Sequence, residues 1–225
     1  MARDWHKKGI PQNYRVFFDF DNTITSKDVF DDMLVYFSKD RRWKKLERDW
    51  QKGKIGSRAC LVGQIRGIRI TKKRLDSYLS NIKLDPYFKK LLQFLNARRI
   101  KVAVLSDNFD YILKKVLAAN GAGGLKVYSN ALRFFKDRLI PIFPFTDKRC
   151  RICAHCKKKN LLANAGSNSI IIYVGDGRSD ICPAKYAHIV FAKKELLEFC
   201  RKENLAHIPY KGLGEVYGYL KENLA

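Results

Sequence analysis

Three apolar runs along the chain each end in polar side chains. They cover residues 14–20, 100–105 and 170–174, and the polar residues at their ends are Asp19, Asp21, Ser106, Gly175 and Asp176. Short apolar runs of this kind, separated by helical patterns, are typical of buried parallel strands. Because the carboxyl ends of parallel strands meet at one edge of a sheet, we predict an α/β fold with these polar groups gathered there.

The segments between the runs carry helical periodicity. Residues 28–38 predict a first helix, and residues 39–84 predict further charge-rich helix, with Trp43, Leu46 and Trp50 spaced three and four apart. Pro86 suits the first turn of a helix that returns the chain to the second strand. We therefore expect a core of residues 12–27 and 85–225 and a helical insertion of residues 28–84.

The rest of the chain predicts alternating helices and strands. The predicted helices are residues 109–120, a helix after Cys156 and residues 179–186; the predicted strands are residues 125–128, 169–174 and 189–192, with a hairpin over 131–144 and helices to the end. Helices between successive parallel strands cover both faces of the sheet.

Asp19 and Asp21 are the most informative pair. If the strand continued through them, their carboxylates would point the same way, and Asn22 favours a turn directly after them. Two acids at one strand end suit Mg²⁺, which takes carboxylate, carbonyl and water oxygens and then a substrate phosphate. An isolated Asp-x-Asp is more often a solvated strand end, but the ordered set of strand ends favours the metal-assisted site.

This set of motifs resembles the haloacid dehalogenase superfamily of phosphohydrolases. The superfamily motifs are Asp-x-Asp-x-Thr, a Ser or Thr ending a strand, a Lys, and Gly-Asp-Gly-x-x-x-Asp or a near variant. The matching residues are Asp19 to Thr23, Ser106, Lys157 and Gly175 to Asp180. The resemblance runs from about Arg15 to the C-terminus, and it implies a Rossmann-like core with a helical cap at residues 28–84.

Three segments look most like one branch of that superfamily. They are Leu105 to Ile112, Val127 to Asn130 and Asp180 to Ala184. The branch holds the methylthiopentenyl-1-phosphate phosphatases of methionine salvage, the phosphocholine and phosphoethanolamine phosphatases, and phosphoserine phosphatase. The resemblance implies Mg²⁺-dependent hydrolysis of a small phosphorylated metabolite. One candidate is 2-hydroxy-3-keto-5-methylthiopentenyl-1-phosphate, and the substrate stays open.

The resemblance also implies roles for individual residues. Asp19 would be the nucleophile that forms an aspartyl-phosphate, and Asp21 would act as acid and then base, with its backbone carbonyl on Mg²⁺. The phosphate-binding residues would be Ser106, Asp107 and Lys157, with Lys158 or Lys159 as alternatives to Lys157. The metal-binding residues would be Asp19, Asp21 and Asp176, with Asp180 orienting Asp176 or a metal-bound water.

Two residues of the cap are candidates for substrate recognition, Asp28 and Arg58. Phosphoserine phosphatases typically carry Glu at the position of Asp28, where it binds the substrate amine, so Asp favours the other members of the branch. Each residue could equally be a helix cap or a surface charge.

The chain is strongly basic, with 45 Lys and Arg against 22 Asp and Glu and a net charge of +23. Such a charge attracts polyanions and steers phosphorylated substrates. One hypothesis is a nucleic-acid surface, or an enzyme acting on nucleic-acid ends, with a basic patch of Arg41, Arg42, Trp43, Lys44, Lys45 and Trp50. Because the basic residues spread over the whole chain, a solvated helix face is the favoured interpretation.

Three of the six cysteines lie close together, at Cys150, Cys153 and Cys156. This spacing can hold Zn²⁺ with His155 or a distant residue as fourth ligand, but joint ligation by His155 and the adjacent Cys156 is awkward. Reduced thiols that support the Lys157 loop are favoured. No apolar run reaches the roughly 20 residues of a membrane span, and no signal-peptide pattern follows the basic N-terminus, so we expect a cytoplasmic protein.

Overall fold

A computed structural model describes residues 13–150 and 152–224 of the chain. The predicted first residue of the core, residue 12, and the basic N-terminal segment lie outside the described residues. Within the described part, no helix is long and apolar enough to cross a membrane.

A seven-stranded sheet occupies the centre of the described chain. The strands are β1 (Asn13–Phe18), β2 (Lys101–Phe109), β3 (Lys126–Phe135), β4 (Arg138–Ile142), β5 (Ser169–Gly175), β6 (Ile189–Ala192) and β7 (Ile208–Pro209). Their order is β4-β3-β2-β1-β5-β6-β7, and only the β3–β4 pair is antiparallel. Strand β1 therefore lies between β2 and β5, and all three motif-bearing strands end at one edge. The α/β prediction is confirmed.

Ten helices accompany the sheet in the described residues. They are α1 (Val29–Phe37), α2 (Arg42–Gln51), α3 (Ser57–Arg66), α4 (Lys72–Leu79), α5 (Phe88–Ala97), α6 (Asp110–Ala119), α7 (Lys157–Ala165), α8 (Ile181–Ala184), α9 (Lys194–Lys202) and α10 (Leu213–Asn223). The first four fall within the predicted insertion, and the others connect or follow the strands of the core.

The central strands are buried on both faces. On β1, Val16 and Phe18 pack into the larger apolar cluster, whereas Phe17 packs into a second cluster that also contains Leu105 and Tyr173. Burial of each such aromatic side chain contributes about 1.5–3 kcal/mol. A strand covered on both faces has no polar alternation, which explains the continuous apolar runs of the sequence.

The two ends of the insertion lie side by side where the insertion joins the core. Thr25 and Leu84 form an isolated antiparallel bridge there. Farther out, the Tyr111 hydroxyl at the start of α6 donates to Asp76 on α4, which ties the insertion to the core. We propose residues 28–84 as the bounds of the cap, and "cap" below means this segment.

Some elements differ from the sequence-based predictions. Strand β3 runs unbroken from residue 126 into the hairpin. The helix predicted over residues 179–186 is a single 3₁₀ turn followed by α8, because Asp180 turns back to accept from the N–H groups of Asp176 and Gly177. Strand β7 was missed because two residues carry too little periodicity to be recognised.

Candidate active site

The chain turns sharply just past β1. The Asp19 N–H donates to the Val174 carbonyl at 2.9 Å, so pairing with β5 extends one residue past the strand. Asn22 then adopts φ 57°, a left-handed conformation that Asn tolerates better than most residues. The Phe20 carbonyl accepts from the N–H groups of the following turn, including that of Thr23 at 3.2 Å. The turn fixes the positions of both motif carboxylates.

Lys157 joins the first motif to the last. Its side chain is 2% exposed, and Nζ lies 2.6 Å from Asp19 Oδ1 and 2.7 Å from Asp180 Oδ1. Burial lowers the pKa of this ammonium, but Asp180 and Asp19 outweigh burial and raise the pKa above its ordinary value. A charged ammonium therefore lies against the predicted nucleophile, where it can bind a transferring phosphoryl oxygen.

The two neighbouring lysines lie elsewhere. Lys158 places Nζ 4.4 Å from the centre of the Tyr186 ring, and Lys159 is exposed. Of the three lysines that open α7, the structure brings only Lys157 to the site.

Asp180 is fully buried, and its carboxylate accepts four hydrogen bonds. The donors are the Lys157 ammonium, the Tyr173 hydroxyl at 2.6 Å, and the N–H groups of Asp176 and Gly177, both at 3.0 Å. Gly175 permits this approach, since a Cβ there would lie 2.7 Å from the Asp180 carboxylate. With its lone pairs occupied, Asp180 is suited to orienting the Asp176 loop.

Asp19, Asp176 and Asp180 each offer an oxygen within 4.8 Å of the others, close enough to hold a metal ion. Burial and then the Asp180 charge raise the pKa of Asp19 well above its ordinary value and that of Asp176 to about 6. A cation therefore favours their simultaneous ionisation. An all-oxygen donor set fits Mg²⁺, and because Asp180 is fully hydrogen-bonded, Asp19 and Asp176 are the better direct ligands.

The Asp21 carboxylate lies outside this group of three acids. Its Oδ1 accepts from the Val29 N–H at 2.8 Å, and its Oδ2 accepts from Asn108 Nδ2 at 3.0 Å. Burial and then the Asp28 charge raise the pKa of Asp21 well above its ordinary value. A carboxyl group with a raised pKa can carry the proton that a leaving group needs. Contact between Mg²⁺ and the backbone carbonyl of Asp21 remains a prediction.

The role of Asn108 in the site was not predicted from the sequence. Its side chain holds Asp21, and its backbone N–H donates to Ser106 Oγ at 3.0 Å. A signal was present, because residues two apart on a strand share a face and Ser106 was already a candidate. Asn108 therefore connects the first two motifs.

Ser106 and Asp107, the predicted phosphate ligands of β2, both line the cavity described below. Ser106 is 1% exposed. The Asp107 Oδ1 atom is buried and has no hydrogen-bond partner among the described residues, and burial raises the pKa of this carboxyl to about 6. An ionised Asp107 would repel a phosphate, whereas the protonated acid can donate a hydrogen bond to it.

The loop before α7 is held by His155, a second residue that sequence analysis left without this role. Its Nδ1 lies 2.9 Å from the Ser106 carbonyl and its Nε2 lies 2.7 Å from Asn160 Nδ2. Burial and then Lys157 lower the pKa of His155 to about 3, so the ring is neutral, donating through Nδ1 and accepting through Nε2.

These contacts bear on the zinc hypothesis. Both ring nitrogens of His155 are occupied, and within the described residues no cysteine belongs to a group of three or more His, Cys, Asp or Glu side chains close enough to hold a metal ion. Cys150, Cys153 and Cys156 are free thiols in the loop that precedes Lys157. The arrangement favours a loop-supporting role.

A cavity of about 320 Å³ separates the strand ends from the cap. The core side is lined by Asp19, Asp21, Ser106, Asp107, Asn108 and Asp176, with Lys194 at its edge. The cap side is lined by Asp28, Phe30, Asp31, Glu47, Trp50 and Gln64, among others. The site is thus enclosed by two different sets of residues.

The cap side of the cavity is acidic. Asp28 Oδ1 accepts from the Asp31 N–H at 2.8 Å and caps α1. Burial, followed by neighbouring acids, raises the pKa of Asp28 to about 7 and that of Asp31 to about 6. Burial also raises the pKa of Glu47, whose Oε2 accepts from Gln64 Nε2 at 3.0 Å. Sequence analysis named Asp28 but not Asp31 or Glu47.

The structure does not bring Arg58, a predicted substrate residue, to the cavity. Its side chain is exposed, and the guanidinium carbon lies 5.1 Å from the centre of the Phe143 ring. Ser57 at the start of α3 faces the cavity, and one residue further along a helix is rotated by about 100°, which turns Arg58 away.

The family match and the site together define a phosphatase, and its fold is similar to that of a solved HAD family hydrolase of Salmonella enterica, with TM-score 0.73 at 20% identity, covering 90% of this chain and 68% of that one. The chain belongs to the family described as Putative Phosphatase, which matches residues 14–202.

Two curated proteins and a second solved structure illustrate the similarity. The chain is 23% identical over 211 residues to a 2-hydroxy-3-keto-5-methylthiopentenyl-1-phosphate phosphatase of Exiguobacterium sibiricum, covering 92% of this chain and 96% of the relative. It is 23% identical over 219 residues to Pdp3-interacting factor 1 of Schizosaccharomyces pombe, covering 92% and 94%. A structure described as a phospho-aspartyl intermediate analogue of phosphoserine phosphatase matches with TM-score 0.72 at 20% identity, covering 93% of this chain and 99% of that one.

Proposed function

We propose that this phosphatase hydrolyses a small phosphomonoester with Mg²⁺, through an aspartyl-phosphate formed on Asp19. The observation that carries the proposal is the convergence of Asp19 and Asp176 on the core side of the cavity, with the buried Lys157 ammonium 2.6 Å from Asp19 Oδ1. A nucleophilic carboxylate, a buried ammonium and a metal-binding acid are the groups that phosphoryl transfer to a protein requires.

In the first step, a carboxylate oxygen of Asp19 attacks phosphorus, and the bond between phosphorus and the ester oxygen breaks. Asp21 gives its proton to the departing oxygen, which leaves as an alcohol. In the second step, Asp21 takes a proton from water, the oxygen of that water bonds to phosphorus, and the acyl phosphate is cleaved to inorganic phosphate and free Asp19. Asn108 and the Val29 N–H keep Asp21 oriented throughout.

Positive charge is needed at the phosphoryl group because its negative oxygens repel the nucleophile. Lys157 supplies one charge, and the Ser106 hydroxyl supplies a hydrogen bond. Mg²⁺ held by Asp19, Asp176 and the Asp21 carbonyl would neutralise the phosphoryl oxygens further. The neighbouring His155 and Asp180 act indirectly, by keeping the Ser106 and Lys157 segments in place.

For the substrate, the named bacterial relatives support 2-hydroxy-3-keto-5-methylthiopentenyl-1-phosphate, and with it a place in methionine salvage. We propose a cytoplasmic location, supported by six cysteines that are all free thiols.

A second candidate rests on the acidic side of the cavity. Asp28, Asp31 and Glu47 face the space that the leaving group of a phosphomonoester would fill. Three carboxyl groups beside Trp50 favour a cationic group such as an ammonium, as in phosphocholine or phosphoethanolamine. They disfavour a leaving group with its own carboxylate, such as that of phosphoserine.

The test is a steady-state screen with MgCl₂ and then with excess chelator. The substrates are methylthiopentenyl-1-phosphate, phosphocholine, phosphoethanolamine, phosphoserine, a nucleotide and a 5′-phosphorylated oligonucleotide. We expect chelator-sensitive release of phosphate, with the highest kcat/KM on one of the first three. Full activity in chelator contradicts the metal-dependent mechanism, and a preference for the oligonucleotide favours the nucleic-acid alternative.

A further inference from the structure

Lys194 is a second ammonium beside the proposed metal site, outside the set of motifs. Its Nζ lies 3.2 Å from Asp176 Oδ2, and the residue lines the cavity. Unlike Lys157, its side chain is 53% exposed and contacts no other acid within 4.0 Å among the described residues. Lys194 therefore acts on Asp176 alone, from the solvent side.

The backbone holds Lys194 in this place. Lys194 is the first residue of α9 and adopts φ 48°, a left-handed conformation that is unfavourable for a lysine. Two residues later, the Leu196 N–H donates to the Asp176 carbonyl at 2.9 Å. The first turn of α9 is therefore anchored to the Asp176 segment, and strained residues of this kind concentrate at functional sites.

The charges facing Asp176 act in opposite directions. The negative charge of Asp180 attracts a cation at Asp176, whereas the positive charges of Lys194 and Lys157 repel it. Lys194 thus forms an ion pair with Asp176 Oδ2. The same ammonium repels a second cation that approaches this carboxylate. Because Coulomb energy is proportional to charge, a doubly charged ion is repelled more strongly than a singly charged one.

We propose that Lys194 is a positioning residue that weakens Mg²⁺ binding at Asp176, so that its side chain sets the affinity of the site for the metal. This inference rests on the proposed function only in taking Asp176 as a Mg²⁺ ligand. It adds a determinant of metal affinity that lies on α9, away from the strand ends that carry the motifs.

The test is calorimetric titration of the full chain with MgCl₂ alone, without substrate. Lys194→Met keeps the aliphatic length and removes the charge, and we expect its Mg²⁺ dissociation constant to fall roughly 3- to 10-fold because one repulsive charge is gone. Lys194→Arg should keep the wild-type constant. Lys202→Met, at the exposed end of the same helix, is the matched control for the lost net charge and should change the constant by less than about twofold.

An unchanged or weaker Mg²⁺ affinity in Lys194→Met would overturn the inference, and so would an equal gain in Lys202→Met. Asp176→Asn tests the metal site separately from the role of Lys194. If wild type binds Mg²⁺ and Asp176→Asn does not, the metal site stands whatever Lys194 does. If wild type itself binds no Mg²⁺, both the metal site and the inference fail.

Discussion

The acidic residues on the two sides of the cavity differ in whether they have a cationic partner. On the core side, Asp19 and Asp180 share the Lys157 ammonium, and Asp176 has Lys194. On the cap side, Asp28, Asp31 and Glu47 have no Lys or Arg within 4.0 Å among the described residues.

From this difference we infer that the core side carries out catalysis and the cap side recognises the substrate. A carboxylate with a fixed cationic partner is oriented before substrate arrives, as a nucleophile requires. Buried carboxyl groups without a cationic partner gain most from a positively charged ligand. We therefore expect the core side to serve phosphoryl transfer from any phosphomonoester, and the cap side to select among leaving groups.

The largest expected effect is the loss of Lys157. Lys157→Met leaves Asp19 and Asp180 as buried charges without a cation, so we expect kcat/KM to fall by at least about 10³-fold and unfolding free energy to fall by about 3–5 kcal/mol. Urea unfolding and phosphate release measure the two effects. Lys158→Met is the matched control, and an equal loss in that variant would refute the assignment of Lys157 as the phosphate ligand.

A smaller effect is expected on the cap side. Asp28→Asn keeps a good N-cap for α1 but removes a negative charge from the cavity. If the leaving group carries an ammonium, kcat/KM for phosphocholine should fall about tenfold, while that for a minimal aryl phosphate should fall less than about twofold. Equal losses on both would mean that Asp28 supports the catalytic loop, and its role in recognition would be withdrawn.

The same variant should change stability with pH. The pKa of Asp28 is raised to about 7 in the folded protein, so between its ordinary value and about pH 7 the folded state binds more protons than the unfolded state. The contribution of Asp28 to stability therefore declines as pH rises through this range. Asp28→Asn should be more stable than wild type at about pH 8, on the order of 1 kcal/mol, and nearly equal at about pH 4. Urea unfolding in chelator checks this, and a gain that is the same at both pH values would contradict the raised pKa.

The smallest effect concerns the net charge of +23. If this charge steers small anions, raising the salt concentration should lower kcat/KM severalfold and leave kcat at saturating substrate nearly constant. Trp43 packs against the apolar core and Trp50 lines the cavity, so neither side chain is placed as an outward stacking surface for bases. Tight binding of DNA or RNA at physiological salt would contradict the steering interpretation.

Local sequence was sufficient for the main residues of the core side because Asp19, Ser106 and Asp176 lie at the ends of apolar runs and Lys157 opens a helix. Asp19, Ser106 and Asp176 could be placed together once parallel pairing was predicted. Asn108 and His155 were missed because their roles depend on hydrogen-bond partners that are 87 and 49 residues away. Strand alternation places Asn108 on the same face as Ser106, but it does not encode which distant residue Asn108 binds.

The cap side could be predicted only in outline. Its helical character follows from the spacing of Trp43, Leu46 and Trp50, but which face of each helix turns inward depends on how the helices pack. Glu47 faces the cavity from α2, a helix with no fully buried residue, and nothing in its sequence distinguishes it from its charged neighbours. The position of Arg58 outside the cavity could not be predicted for the same reason, because the rotation of α3 is set by tertiary contacts.

The most direct measurement asks which residue carries the phosphoryl group. In Asp21→Asn, the base for the second step is lost while an amide still fills the site, so the aspartyl-phosphate should accumulate. Acid quenching after incubation with substrate and MgCl₂, followed by mass spectrometry of peptides, should find one added phosphoryl group on Asp19, and none when Asp19→Asn is combined with this variant. A phosphoryl group on another residue, or undiminished turnover in Asp19→Asn, would contradict the account.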